Sequence, residues 1–136
     1  MRTLARIALG VFLLFAGTAH LTFGRTEFQA QVPAWIPVDV DLVVLVSGVI
    51  EITLGLALVA APRAWRPLVG WATAAFFVAI FPGNIAQWVE GRDAFGLDTD
   101  TARFVRLLFQ PVLIAWALWS TGAWRAWRER RAAETG

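Results

Sequence analysis

Four apolar segments alternate with short polar or proline-bearing stretches along the chain, at about residues 4–23, 40–61, 67–89 and 102–122. Each is long enough to cross a hydrocarbon core, which takes about 20 residues at about 1.5 Å per residue. Backbone N–H and C=O groups in lipid must bond within their own segment, so these stretches are predicted to be helices. Pro33 and Pro37 break the first connection, Pro62 and Pro67 bracket a tight second one, and the run GRDAFGLDTD at 91–100 forms a polar third. Pro67 suits a first helical turn, where its missing N–H removes no bond. Thr26 and Gln29 have capping-box spacing, and Phe28, Val32, Trp35 and Ile36 are apolar. Residues 24–39 are therefore predicted to carry a short element in the outer interface, ended by Pro33. The expected architecture is one all-α domain over residues 1–136, an integral membrane four-helix bundle with up-down topology. The first segment also has the make-up of a signal peptide: Arg2 and Arg6, an apolar stretch, then small residues at 16–19. Three further spans favour a retained helix instead.

Composition strengthens the membrane reading. The chain is 58% hydrophobic with a mean hydropathy of +0.61, against about 45–50% apolar in ordinary soluble domains. It has no cysteine, which excludes disulfides, thiol redox chemistry, iron–sulfur clusters and cysteine-bound zinc. A single histidine excludes bis-histidine haem within one chain. All twelve basic residues are arginine and the net charge is +2, so the high pI reflects arginine chemistry; nucleic acid is set aside as a partner.

The arginines give a topology. Eight of them (2, 6, 63, 66, 125, 128, 130 and 131) fall at the N-terminus, the second connection and the tail, against Arg25, Arg92, Arg103 and Arg106 on the other side. The positive-inside rule then puts both termini in the cytoplasm. Trp35, Trp65, Trp88, Trp124 and Trp127 sit near segment ends, where an interfacial belt belongs. The arginine-rich tail reads as an anchor to the inner leaflet.

Candidate chemistry lies in the polar residues inside these segments. Glu51 stands mid-way along the second, where a charge costs about 2.5–3.5 kcal/mol on insertion scales, so it must face an interior or a wet cavity. Counting from the segment ends puts Glu51 about 15 Å and His20 about 5 Å below the outer surface. Asn84 and Gln87 lie in the outer third of the third segment, after Pro82-Gly83, and Gln110 follows Arg103 and Arg106 on one face of the fourth. Ser47, Gly48, Glu51 and Gly55 form one stripe, and Gly10, Gly17 and His20 another, with glycines that let helices approach closely. These stripes can converge on a polar interior open outward and closed to the cytoplasm. Several roles stay open. Glu51 is a neutral acid bonded to Ser47 or a neighbouring helix, an ion-pair partner of Arg106 or His20, or a ligand or proton-transfer group. Asn84 is most simply a clamp on backbone freed at Pro82, and Arg106 a snorkelling side chain. One His and one Glu are too few for a metal site, so none is assigned.

The set AGTAHLTF (16–23), VPAWIP (32–37), SGVIEITLGLAL (47–58), FPGNIAQW (81–88) and RLLFQP (106–111) resembles the DoxX-like family of small four-helix bacterial membrane proteins. The resemblance implies a multi-pass protein of the bacterial cytoplasmic (inner) membrane. It sets His20, Glu51 and Asn84 on the family's histidine, glutamate and asparagine, and implies a quinone-linked oxidoreductase subunit. In that reading Glu51 and His20 are the catalytic pair, supplying protons to a quinone. Asn84, Gln87, Arg106, Gln110 and Trp35 line the ligand site. No cofactor is intrinsic to the chain. Electron chemistry would need a bound quinone or a soluble or membrane redox partner, and a homo-oligomer is compatible. Two other functions fit the same residues: a non-catalytic module binding a small lipophilic ligand, and a structural or assembly partner of a membrane complex.

Overall fold

The computed structural model describes residues 1–22, 35, 37–89 and 99–135, and within them the chain is helical. The helices are α1 (Arg2–Leu21), α2 (Val40–Ala60), α3 (Arg66–Val89), α4 (Asp100–Ser120) and α5 (Ala123–Thr135), with a 3-10 turn at Arg63–Trp65 before α3. The interfacial element expected in the first loop falls outside the described residues, apart from Trp35 and residues 37–39.

Local chemistry sets the ends. The Asp39 carboxylate accepts from the Asp41 N–H at 3.0 Å, and the Thr99 hydroxyl accepts from the Ala102 N–H at 3.1 Å, which caps α2 and α4. At the far end of α2, Ala61 is extended, as a residue before proline prefers. Between α4 and α5 the chain breaks at Thr121-Gly122, where Gly122 takes a φ of +75° that an L side chain rarely adopts. The helix axes turn by 66° there.

α1 and α2 run antiparallel with backbones in contact. A Cβ on Gly17 would fall 2.8 Å from the Gly48 carbonyl oxygen, and one on Gly55 would fall 2.8 Å from that of Gly10. Two glycines on each helix, seven residues apart, thus form the seam. Leu9 and Leu13 of α1, Leu58 of α2, Phe77 of α3, and Leu113 and Ala117 of α4 make the core. The Trp116 indole N–H donates to the Ala5 carbonyl at 2.8 Å and ties α4 to α1.

Polarity is inverted relative to a water-soluble bundle. Val11, Phe12, Phe15, Val46, Ile50, Val78, Leu108 and Phe109 are exposed, whereas Arg6, His20, Glu51, Thr73, Gln110 and Ser120 are buried. Soluble monomers rarely expose contiguous apolar surface on this scale. Three helices, Arg2–Leu21, Asp41–Ala60 and Arg63–Pro82, are long and apolar enough to cross a membrane. Phe104–Ser120 of α4 and the bent helix α5, taken together, bring the number of such helices among the described residues to as many as four.

Candidate functional site

The α1–α2 seam brings the sole histidine to the mid-helix acid. His20 Nδ1 lies 3.0 Å from Glu51 Oε2, and both side chains are buried. Depths counted from helix ends had separated them by about 10 Å. The count assumed flush ends, but Gly48 packs beside Leu21 at the end of α1. Residues 40–47 of α2 therefore overhang α1 by about 12 Å at 1.5 Å per residue.

The contact is close but poorly aimed. His20 Nδ1 is also 2.7 Å from the Ala16 carbonyl on its own helix. A carbonyl can only accept, so Nδ1 carries a hydrogen, and that hydrogen points back along α1. Glu51 Oε2 is consequently buried with no hydrogen bond among the described residues. Such an atom forfeits its hydration without compensation, at a cost of about 1–3 kcal/mol. The Arg106 charge on α4 lies within Coulombic reach of Glu51, and Arg106 Nη1 donates to Gln110 Oε1 at 3.3 Å. Chemically, the arrangement is an acceptor oxygen waiting for a donor, flanked by a second titratable group and a cation.

Gln110 is used differently from its expected ligand role. It is fully buried, and its Nε2 donates to the Phe77 carbonyl of α3 at 2.5 Å. Pro82 lacks the N–H that would bond the Val78 carbonyl, which loosens this turn of α3. Gln110 thus ties α4 to the α3 backbone at Phe77, the residue before Val78, whose carbonyl Pro82 leaves without its helical donor. Gln110→Met, which keeps the volume but loses the bond, should lower stability by about 1 kcal/mol, read from thermal unfolding in detergent.

Asn84 and Gln87 lie on the helical backbone of α3, but their side chains are outside the described residues, as is that of Arg103. Trp35 is 74% exposed, so it stands at the surface instead of with the buried pair. Among the described residues no group of three or more His, Asp or Glu could hold a metal.

One functional cation escaped sequence reasoning. Arg6, read there as a topology charge, is buried and donates through Nη1 to the carbonyls of Leu58 and Val59 at the end of α2, the latter at 3.3 Å. The signal was present: Pro62 follows Leu58 by four residues and has no N–H to offer that carbonyl. A cation at the negative end of the α2 dipole adds to the cap.

The fold and the site together define an all-α protein with membrane-compatible helices and a buried histidine–carboxylate contact. A family model described as Domain of unknown function (DUF8561) matches residues 9–121, and the chain belongs to that family. The matched stretch runs from α1 through α4, so it includes His20, Glu51 and Gln110 and leaves out α5. This corrects the DoxX-like resemblance, which the family match does not support, and the roles carried over with it lose their basis. The shared short motifs were a helix-terminal histidine, a mid-span glutamate and a proline followed by a carboxamide. Any bundle that must seat polar groups between close-packed spans can present them. No curated protein and no solved structure matches the chain.

Proposed function

We propose that the protein crosses the bacterial cytoplasmic membrane four times, with both termini in the cytoplasm, and binds a small lipophilic molecule carrying a hydroxyl or other hydrogen-bond donor. The exposed apolar side chains and the arginine-rich end support the membrane placement. α4 completes the set of spans, and α5 turns away along the inner interface. The observation that carries the binding role is Glu51 Oε2, buried beside His20 without a hydrogen bond among the described residues. A donor on the ligand satisfies that oxygen. A quinol is one member of this class.

Extraction with organic solvent tests this. Protein purified from native membranes should release a lipophilic, donor-bearing compound at about one per chain, identified by mass spectrometry. Glu51→Gln keeps an acceptor but not the charge, so occupancy should fall about tenfold, since charge-assisted bonds are roughly twice as strong as neutral ones. Glu51→Leu should release none while folding as well as the native chain, because it also removes a buried polar group. An empty extract from the native protein would sink the reading.

A further inference from the structure

A second polar site lies at the opposite end of the bundle. A cavity of about 510 Å³ opens between the start of α1, the turn into α3 and the α4–α5 break, lined by Arg2, Arg6, Arg63, Arg66 and Arg125. Its one carboxylate is Glu129, which is largely exposed and holds Arg125 at 3.0 Å. Five cations thus line one cavity against a single anion. Arg6 also donates to the Leu58 and Val59 carbonyls and Arg66 Nε to the Ala61 carbonyl at 3.2 Å, so backbone oxygens meet part of their need while the excess of positive charge stays. The charge of Arg66 acts directly on that of Arg6. Like charges gathered in a partly enclosed space repel unless an anion joins them. Helices α1, α3 and α5 begin here while α2 and α4 end here, so the helix dipoles largely offset and the arginines set the field.

An independent feature points the same way. Ser120 lines the cavity and is only 4% exposed, yet its hydroxyl has no hydrogen-bond partner among the described residues. A hydroxyl can donate to an anion as readily as guanidinium groups can. The neighbouring Thr121 hydroxyl is already used, donating to the Ala117 carbonyl at 2.7 Å.

We propose that this cavity binds a phosphate-bearing anion, held by the arginines with Ser120 as its inner donor. The volume is within the range of small-molecule sites, about 300–1,000 Å³, and exceeds what a bare ion needs. In the proposed topology the cavity sits at the headgroup level of the cytoplasmic leaflet, where basic pockets between spans take anionic lipid headgroups. The 66° turn into α5 brings Arg125, Ala126 and Glu129 to the cavity wall, and Trp124 and Trp127 of the same helix are exposed. A soluble phosphate compound presents the same chemistry, and experiment separates the two sources.

The full chain in a neutral detergent would be titrated with phosphatidylglycerol, with phosphatidylcholine, and with inorganic phosphate, reading bound mass by native mass spectrometry and the shift in Tm. Binding of phosphatidylglycerol but not phosphatidylcholine supports a lipid headgroup. A response to inorganic phosphate alone supports a soluble source. Ser120→Ala should weaken either by about threefold to tenfold, the loss of one neutral hydrogen bond, without altering net charge. Arg63→Gln, at an exposed position, should weaken binding by about tenfold and leave the ligand-free Tm in place. Equal responses to both lipids, no response to any probe, or variants that bind as the native chain does would overturn the proposal. This inference stands or falls separately from the reading at Glu51, because Ser120→Ala and Arg63→Gln change only the arginine-rich end and Glu51→Gln only the other.

Discussion

Arg6→Met should destabilise the protein by about 2–3 kcal/mol, more than any other single change to its polar interior. The methionine can fill the space of the arginine stem, so little packing is lost. What disappears is the cation bonded to the Leu58 and Val59 carbonyls. Charge-assisted bonds contribute about 1.5–3 kcal/mol each, and the desolvation of the guanidinium offsets part of that sum. The Leu58 carbonyl is left without either the arginine or a backbone donor, since Pro62 supplies none. Arg6→Lys should recover part of the loss, because one ammonium can still reach a carbonyl but lacks the planar fork. Thermal unfolding in detergent gives the order native, lysine, methionine. If methionine proves as stable as arginine, the cap at the end of α2 contributes nothing.

Gly17→Ala should come next, with a net loss of about 1–2 kcal/mol. On an isolated helix the change would be favourable by about 1 kcal/mol, because alanine loses less backbone freedom than glycine on ordering. Here the added methyl meets the branched Ile52 side chain, 2.7 Å from its Cγ1, and also backbone that cannot yield: 2.8 Å from the Gly48 carbonyl oxygen and 3.0 Å from the Ile52 amide nitrogen. The two helices must move apart, and overpacking of this kind costs about 1–3 kcal/mol or more, which outweighs the propensity gain. Separation also carries His20 away from Glu51, since the same seam places them 3.0 Å apart. Gly17→Ala should therefore lower ligand occupancy at Glu51 along with Tm. A rise in Tm would mean that α1 and α2 do not touch along this line.

Much of the architecture was legible in the chain. Apolar runs of membrane length can satisfy their backbones only as helices, so the all-α class follows from hydropathy alone. The inward stripe of α2 was legible too: Gly48, Glu51 and Gly55 repeat at helical spacing and are all buried. Proline positions announced the break after α2 and the loosened turn of α3.

The site was less legible, because pattern along one helix says nothing about the axial offset of the next. Segment counting set His20 shallow and Glu51 deep. The glycine seam slides α1 along α2 until the two meet, and that offset depends on which glycines face each other. Sequence likewise gave no sign that Gln110 reaches the Phe77 carbonyl of α3, because that bond depends on which face of α4 meets α3. At Gly122 a left-handed residue turns the chain from α4 into α5, which supplies Arg125 and Glu129 to the arginine-lined cavity, and nothing in the hydropathy pattern announced that turn.

The sequence by itself determined that the chain forms apolar helices, that one carboxylate must be sheltered among them, and that positive charge collects at one end, since burial cost and backbone bonding act locally. Only the tertiary structure decided that Glu51 meets His20, that Arg6 caps α2, and that five arginines share one cavity with Ser120. Those pairings depend on how helices slide and turn against one another, and packing between distant segments sets that.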